Sequence, residues 1–166
     1  MTAIETGRLA VAVGLTLVLL VVSVSDVRSR RIPNAAVLVM LGLFAAWTAL
    51  NGGAGLVSSL EAAAIGLAVT ATLYLCKVIG AGDSKLFAAA ALFAGMSLLP
   101  LMALITVLIG GAIALAMLVM RPVRGLVMLQ MRGKGDWGRG VPYGVPIAIA
   151  CAAVVWAPLL GWLGAP

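Results

Sequence analysis

The sequence predicts an all-α polytopic membrane protein: one domain over residues 1–166, six transmembrane helices, both termini on the non-cytoplasmic side. Three observations lead there. Apolar residues make up 64% of the chain and charged residues 10%, with a mean hydropathy of +1.22, far from the balance of a soluble domain. The apolar residues gather into runs at about 9–25, 35–50, 57–79, 86–99, 100–120 and 141–163, against the roughly 20 residues that a spanning helix needs. Ten of the eleven basic residues fall in three of the intervening segments, 26–34, 77–85 and 121–140, and only Arg8 lies outside them. Because cytoplasmic loops collect Lys and Arg, those three segments are expected on the cytoplasmic side.

The first run is not read as a cleaved signal peptide, since its basic cluster "DVRSRR" follows it and no A-x-A site comes after. Pro33 and Asn34 close the next loop, and Asn34 is expected to cap the second helix from near Ala35. Glu61 is placed in the first turn of the third helix, where negative charge is favoured. The fourth run, "LFAAAALFAGMSLLP", is the shortest and suits a short or partly submerged helix; Pro100 is expected to separate it from the fifth.

Inside the spans, Ala62, Gly66 and Thr70, and again Gly110, Gly111 and Ala114, put small residues at helical spacing. They are read as surfaces for close helix packing. Trp47, Trp156 and Trp162 fall toward the outer ends of their spans, and Tyr74, Trp137 and Tyr143 toward the inner ends, as aromatic belts require. Cys76 and Cys151 are expected to be small buried residues. With no CxxC pair and no histidine, a zinc-type metal site is not expected. The net charge of +6 needs no nucleic-acid partner, because basic loops already face the anionic lipids of the inner leaflet.

The chain has five acidic residues. Glu5 is solvated in the tail, Glu61 begins a helix, and Asp136 sits among Arg132, Lys134 and Arg139. Asp26 is harder to dismiss: it ends the first span in "VVSVSDVRSRRIPN", where a carboxylate opposes the helix dipole, unless it pairs with Arg28, Arg30 or Arg31. Asp83 in "VIGAGDSKLF" reads equally as a helix N-cap. Gly80 and Gly82 before it give the backbone φ > 0 or a close approach that a plain cap does not need. The topology brings Asp26 and Asp83 to one edge of the bilayer at the ends of different helices. Two carboxylates sharing a partly dehydrated site do not both ionise easily, so one keeps a proton while the other activates water.

"GAGDSK" fits the GxGDxK motif of membrane-embedded aspartic proteases, and "DVRSRRIPN" resembles the D…IPN segment of type IV prepilin peptidases. "VPYGVPIA", 141–148, is similar to the start of the last span in the short members serving tight-adherence (Flp-type) pili. A second match, "GKGD" at 133–136, lies in a basic loop without an apolar helix after it. The resemblance implies that Asp26 and Asp83 are the catalytic pair, working with no metal and no cofactor. It also implies a prepilin substrate with a single apolar helix and a basic leader cut at the cytoplasmic face, and a multi-pass location in the cytoplasmic (inner) membrane of a prokaryote. Gly80 and Gly82 would align a substrate strand, Lys85 would orient Asp83 or the substrate or anchor the inner leaflet, and Pro33 and Asn34 complete the first motif. Longer members carry a cysteine-bearing cytoplasmic domain and methylate the new N-terminus. Nothing here corresponds to it, so methylation is not expected. A small proton- or cation-coupled transporter using the same two acids is the alternative, but no carboxylate falls at mid-bilayer depth and no inverted repeat is evident.

Overall fold

The computed structural model describes residues 2–119 and 142–161. Among them are five α-helices: α1 Ala3–Ser29, α2 Asn34–Leu50, α3 Leu56–Leu75, α4 Ala81–Val119 and α5 Gly144–Leu159. Three of them, α1, α3 and α4, are long and apolar enough to cross a membrane, while α2 and α5 are shorter apolar helices. Large apolar side chains such as Leu17, Val21, Leu38, Val57, Val107 and Leu118 are exposed, as a lipid-facing surface requires.

The break in α4 differs from the expectation. The helix runs through Pro100, and the non-helical residue is Gly95, at φ 59° and ψ 179°. That region of backbone space is open essentially to glycine alone. The interruption frees the Met96 N–H, which donates to Ser58 Oγ of α3 (3.0 Å). Proline falls instead near the start of the second limb, where the helix tolerates it better than in its middle.

Contacts along the helices set their directions. Gly7 faces Leu50 and Gly14 faces Leu43, so α1 and α2 run antiparallel. Ser84 Oγ reaches the Thr70 carbonyl (3.0 Å), Gly66 meets Phe87 and Ala91, and Gly95 meets Ser58. The first limb of α4 is therefore antiparallel to α3. Gly110 then lies against the ring of Tyr143, the residue preceding α5, so the second limb returns to the end from which the first one started. In α5, Trp156 Nε1–H donates to Thr16 Oγ1 (3.0 Å), antiparallel to α1. Asp26, Ile32, Gly82, Asp83, Gly110 and Gly144 thus share one end of the bundle, and Ala3 and Leu159 lie at the other.

Small side chains, Ala89, Ala90, Ala91 and Ala94 of α4 with Ala148, Ala150 and Cys151 of α5, bring these two helices close, and larger ones such as Leu15, Met40, Leu86 and Met102 fill the rest of the interior. Between helices in lipid, close packing replaces the hydrophobic drive of a soluble core. Hydroxyls within the helices are satisfied four residues back, as in Thr16 to Ala12 (2.8 Å), Ser23 to Leu19 (2.8 Å) and Thr106 to Met102 (2.8 Å).

Other expectations need correction. Asn34 is the first residue of α2 and makes no capping bond; Pro33 takes the cap position. The α3 helix begins at Leu56, which puts Glu61 beyond its first turn, and ends at Leu75. Lys77, at φ 60°, closes it with a Schellman pair in which Val78 N–H reaches the Leu73 carbonyl (2.9 Å) and Lys77 N–H that of Tyr74 (2.9 Å). Cys76 is exposed at this end, whereas Cys151 is buried. Among the described residues Gly111 meets no neighbour, so the packing surface of the second limb rests on Gly110. The basic segment 121–140 and Trp162 lie outside the described residues.

The reversal at Gly95 sets a test. Gly95→Ala forces a side chain into a glycine-only conformation and is expected to cost about 1–3 kcal/mol, read as a lower midpoint of thermal unfolding in detergent. Gly42→Ala, facing open space, should melt at or above the wild-type temperature. Equal midpoints for Gly95→Ala and wild type would show that the reversal does not need glycine.

Candidate active site

Asp26 occupies the last turn of α1 and is 5% exposed. The helix ends at Arg30, which takes a left-handed conformation (φ 53°) and donates its N–H to the Asp26 carbonyl (3.0 Å). Ser25 Oγ–H donates to the Arg31 carbonyl (2.7 Å), folding the chain back as it leaves the helix. The carboxylate accepts a buried hydrogen bond from Gly144 N–H at Oδ2 (2.8 Å). Gly144 is the first residue of α5, whose opening N–H groups have no partner within their own helix. The sequence left Asp26 between an arginine pairing and a site role. The structure supplies a partner from 118 positions away, and of the nearby arginines Arg30 exerts its charge on the group.

Asp83 lies three residues into α4, not ahead of it. Its Oδ2 accepts the Gly80 N–H (3.0 Å), while Ser84 N–H closes the first helical bond on the Gly80 carbonyl (3.2 Å). This is the back-reaching half of a capping box, so the capping reading of Asp83 holds in a modified position. Ser84 Oγ–H donates to the Thr70 carbonyl and Thr70 Oγ1–H to that of Gly66 (2.7 Å), which fixes the turn on α3.

Neither Gly80 nor Gly82 takes φ > 0; the glycines serve close approach instead. A Cβ on Gly82 would stand 3.3 Å from Ile32 Cβ, and one on Gly80 would stand 3.1 Å from Asp83 Oδ2. The loop after α1 therefore rests directly on the first turn of α4. Asp26 and Asp83 lie within electrostatic reach of one another, and Arg30 acts on both. Lys85, Pro33 and Asn34 are exposed. Pro33, extended at ψ 130°, turns the chain from the site loop into α2. Among the described residues no group of three or more His, Cys, Asp or Glu could hold a metal ion, and Asp136 with its "GKGD" lies outside them.

Two carboxylates from separate helices thus stand at one end of the bundle within electrostatic reach, each held by a backbone N–H, an arrangement in which the two need not both ionise. The model of the type IV leader peptidase family matches residues 13–115, a range that includes both. The chain belongs to this family. A prepilin leader peptidase/N-methyltransferase of Stutzerimonas stutzeri is 32% identical over 150 residues, covering 86% of this chain and 48% of the relative. The chain thus spans about half the length of that curated relative. No solved structure matches it.

Of the leader-peptidase motifs singled out in the sequence, the structure brings Asp26, Gly82 and Asp83 together with Ile32 of the "IPN" segment. Gly144, Ser25 and Ser84 were not singled out, and Thr70 was read only as a packing residue, not as the carbonyl that receives Ser84 Oγ–H. Gly144 carried the one available signal, standing in "VPYGVPIA" at the start of an apolar run, but nothing local pairs it with Asp26.

The contact between Ile32 and Gly82 is directly testable. Cysteines placed at both positions have Cβ atoms close to the disulfide range of about 3.5–4.5 Å, so mild oxidation in membranes should join them within one chain. The readout is two fragments held together after cleavage at a protease site inserted at 52–55. Fragments that separate without reductant would refute the juxtaposition.

Proposed function

We propose that the chain is an aspartic endopeptidase that removes the basic leader from type IV or Flp-type prepilins, with Asp26 and Asp83 as its catalytic pair. The observation that carries the reading is the convergence of these two carboxylates, one from α1 and one from α4, at one end of a bundle whose family is that of the leader peptidases. One carboxylate takes a proton from water, and the resulting hydroxide adds to the scissile carbonyl. The other, protonated, gives its proton to the carbonyl oxygen; as the adduct collapses and the C–N bond breaks, the pair protonates the leaving amine and takes back a proton from an adduct hydroxyl. The pair ends with the same number of protons. The substrate helix must unwind locally, because a helical peptide carbonyl is already engaged.

The proposal extends to topology. The two limbs of α4 count as separate spans, which makes six, and the site end is the cytoplasmic one. Arg28, Arg30, Arg31, Lys77 and Lys85 all cluster there, as the positive-inside rule requires. The inner membrane of a prokaryote is then the location, and its anionic lipids neutralise the basic loops. The proposal covers cleavage and does not extend to methyl transfer.

The experiment is co-expression with a prepilin carrying a basic leader, followed by a gel shift that reports leader loss. Wild type is expected to process it, while Asp26→Asn and Asp83→Asn leave it full length. Asp136→Asn should process normally. Processing that survives both site substitutions would overturn the reading. Loss in Asp136→Asn would transfer the role to the second GxGD sequence.

A further inference from the structure

The buried hydrogen bond between α1 and α5 has chemistry of its own. Gly144 is the first residue of α5; its N–H points at Asp26 Oδ2, and its Cα approaches so closely that a Cβ would stand 2.8 Å from Oδ2 and 3.0 Å from both Cβ and Cγ of Asp26. Contacts below 3.0 Å to a carbon-bound position are not tolerated, and here the obstructing atoms belong to a short side chain with little room to move. The neighbouring positions tighten the same joint. Pro142 and Pro146 are buried, and the Tyr143 ring rests on Gly110, where a Cβ would lie 3.1 Å from it. Pro146 has no N–H, and Ile147 N–H is already taken by the Tyr143 carbonyl (3.2 Å). The first turn of α5 therefore offers few free donors, and one of them is committed to Asp26.

We infer that Gly144 is a positioning residue for the aspartate pair: its N–H fixes Asp26 by Oδ2 and leaves Oδ1 to face the reacting water and Asp83. The inference rests on the peptidase reading and adds α5 to it. Gly144 lies beyond the residues 13–115 that the family model matches, so the pair is completed by a helix outside that range. A helix N-terminus complements a carboxylate, and the opposing end of α1 does not. The α5 start thereby offsets the unfavourable placement of Asp26 at the end of its own helix. Gly110 acts one step further back, by allowing Tyr143 to seat and so setting the depth of Gly144.

Steady-state cleavage of a purified prepilin in detergent, with wild type and variants brought to equal folded amounts by gel filtration, tests this. Gly144→Ala is expected to lower kcat about 100-fold, the scale of a 1 Å misplacement of a catalytic group, with KM within about twofold of wild type. Gly110→Ala, which moves the Tyr143 ring without touching Asp26, should give a smaller kcat loss with the same unchanged KM. Gly111→Ala, whose Cβ meets none of the described residues, should match wild type. If Gly144→Ala does not fold, Gly110→Ala decides alone. Wild-type kcat in the folded variants, or a loss carried by KM, overturns the inference. A wild-type enzyme that fails to cleave, or an Asp26→Asn variant that still does, overturns the peptidase reading instead, so the two failures are distinguishable.

Discussion

In a bilayer the backbone has no water to bond, so a helix satisfies its polar groups internally and leaves partnerless ones only at its ends. Chemistry that needs polar groups therefore gathers where helix ends meet. Here the starts of α4 and α5 meet the end of α1. Asp83 accepts the N–H just ahead of α4, and Asp26 accepts the first N–H of α5. Each carboxylate thus satisfies a donor that would otherwise be unpaired, and each donor holds its carboxylate in place. The site depends on this reciprocity, and the reciprocity depends on the alternating directions of the helices. If the second limb of α4 failed to return at Gly95, Gly110 and Tyr143 would not meet and α5 would lose its support beside Asp26.

Glycine enables each of these approaches, for different reasons. Gly95 is required by its backbone conformation and Gly144 by the Asp26 carboxylate opposite it, while Gly66, Gly82 and Gly110 lie tight against Phe87, Ile32 and Tyr143. In a water-soluble protein a loose joint of this kind is filled by a larger apolar side chain. In lipid, where helix association rests on contact rather than on release of water, the backbone itself comes close. That same closeness gives a backbone N–H access to the carboxylate of Asp26, a residue only 5% exposed.

The membrane class and the helical segments were legible because hydropathy over some twenty residues is a sum of many small terms. The candidate pair was legible because ionisable residues are so scarce that each one asks for a reason. Local backbone geometry was less so. Pro100 is a strong breaker in isolation, yet the chain breaks at Gly95, since only tertiary packing against Ser58 reveals which residue must leave helical space. Asn34 and Asp83 carry good capping chemistry, and each is shifted from the cap position because the neighbouring Pro33 and Gly80 take it. Cys76 was expected to be buried on apolar context, but α3 ends one residue before it. Gly144 was beyond reach, since its role is defined by a residue 118 positions away.

The geometry also bears on the choice between hydrolysis and ion transport. A carboxylate that carries a cation through a membrane needs its oxygens free to replace the ion's hydration shell, and it gains from carbonyl oxygens nearby. At this site one oxygen of each carboxylate is engaged by a backbone N–H, and those donors come from helix N-termini. Donors of this sense favour negative charge and compete with a cation for the same lone pairs. Arg30, acting on both groups, disfavours a second cation further. Among the described residues, what remains available is one oxygen on each acid, the number that the proposed peptidase reading needs to take a proton from water and to return one to a carbonyl.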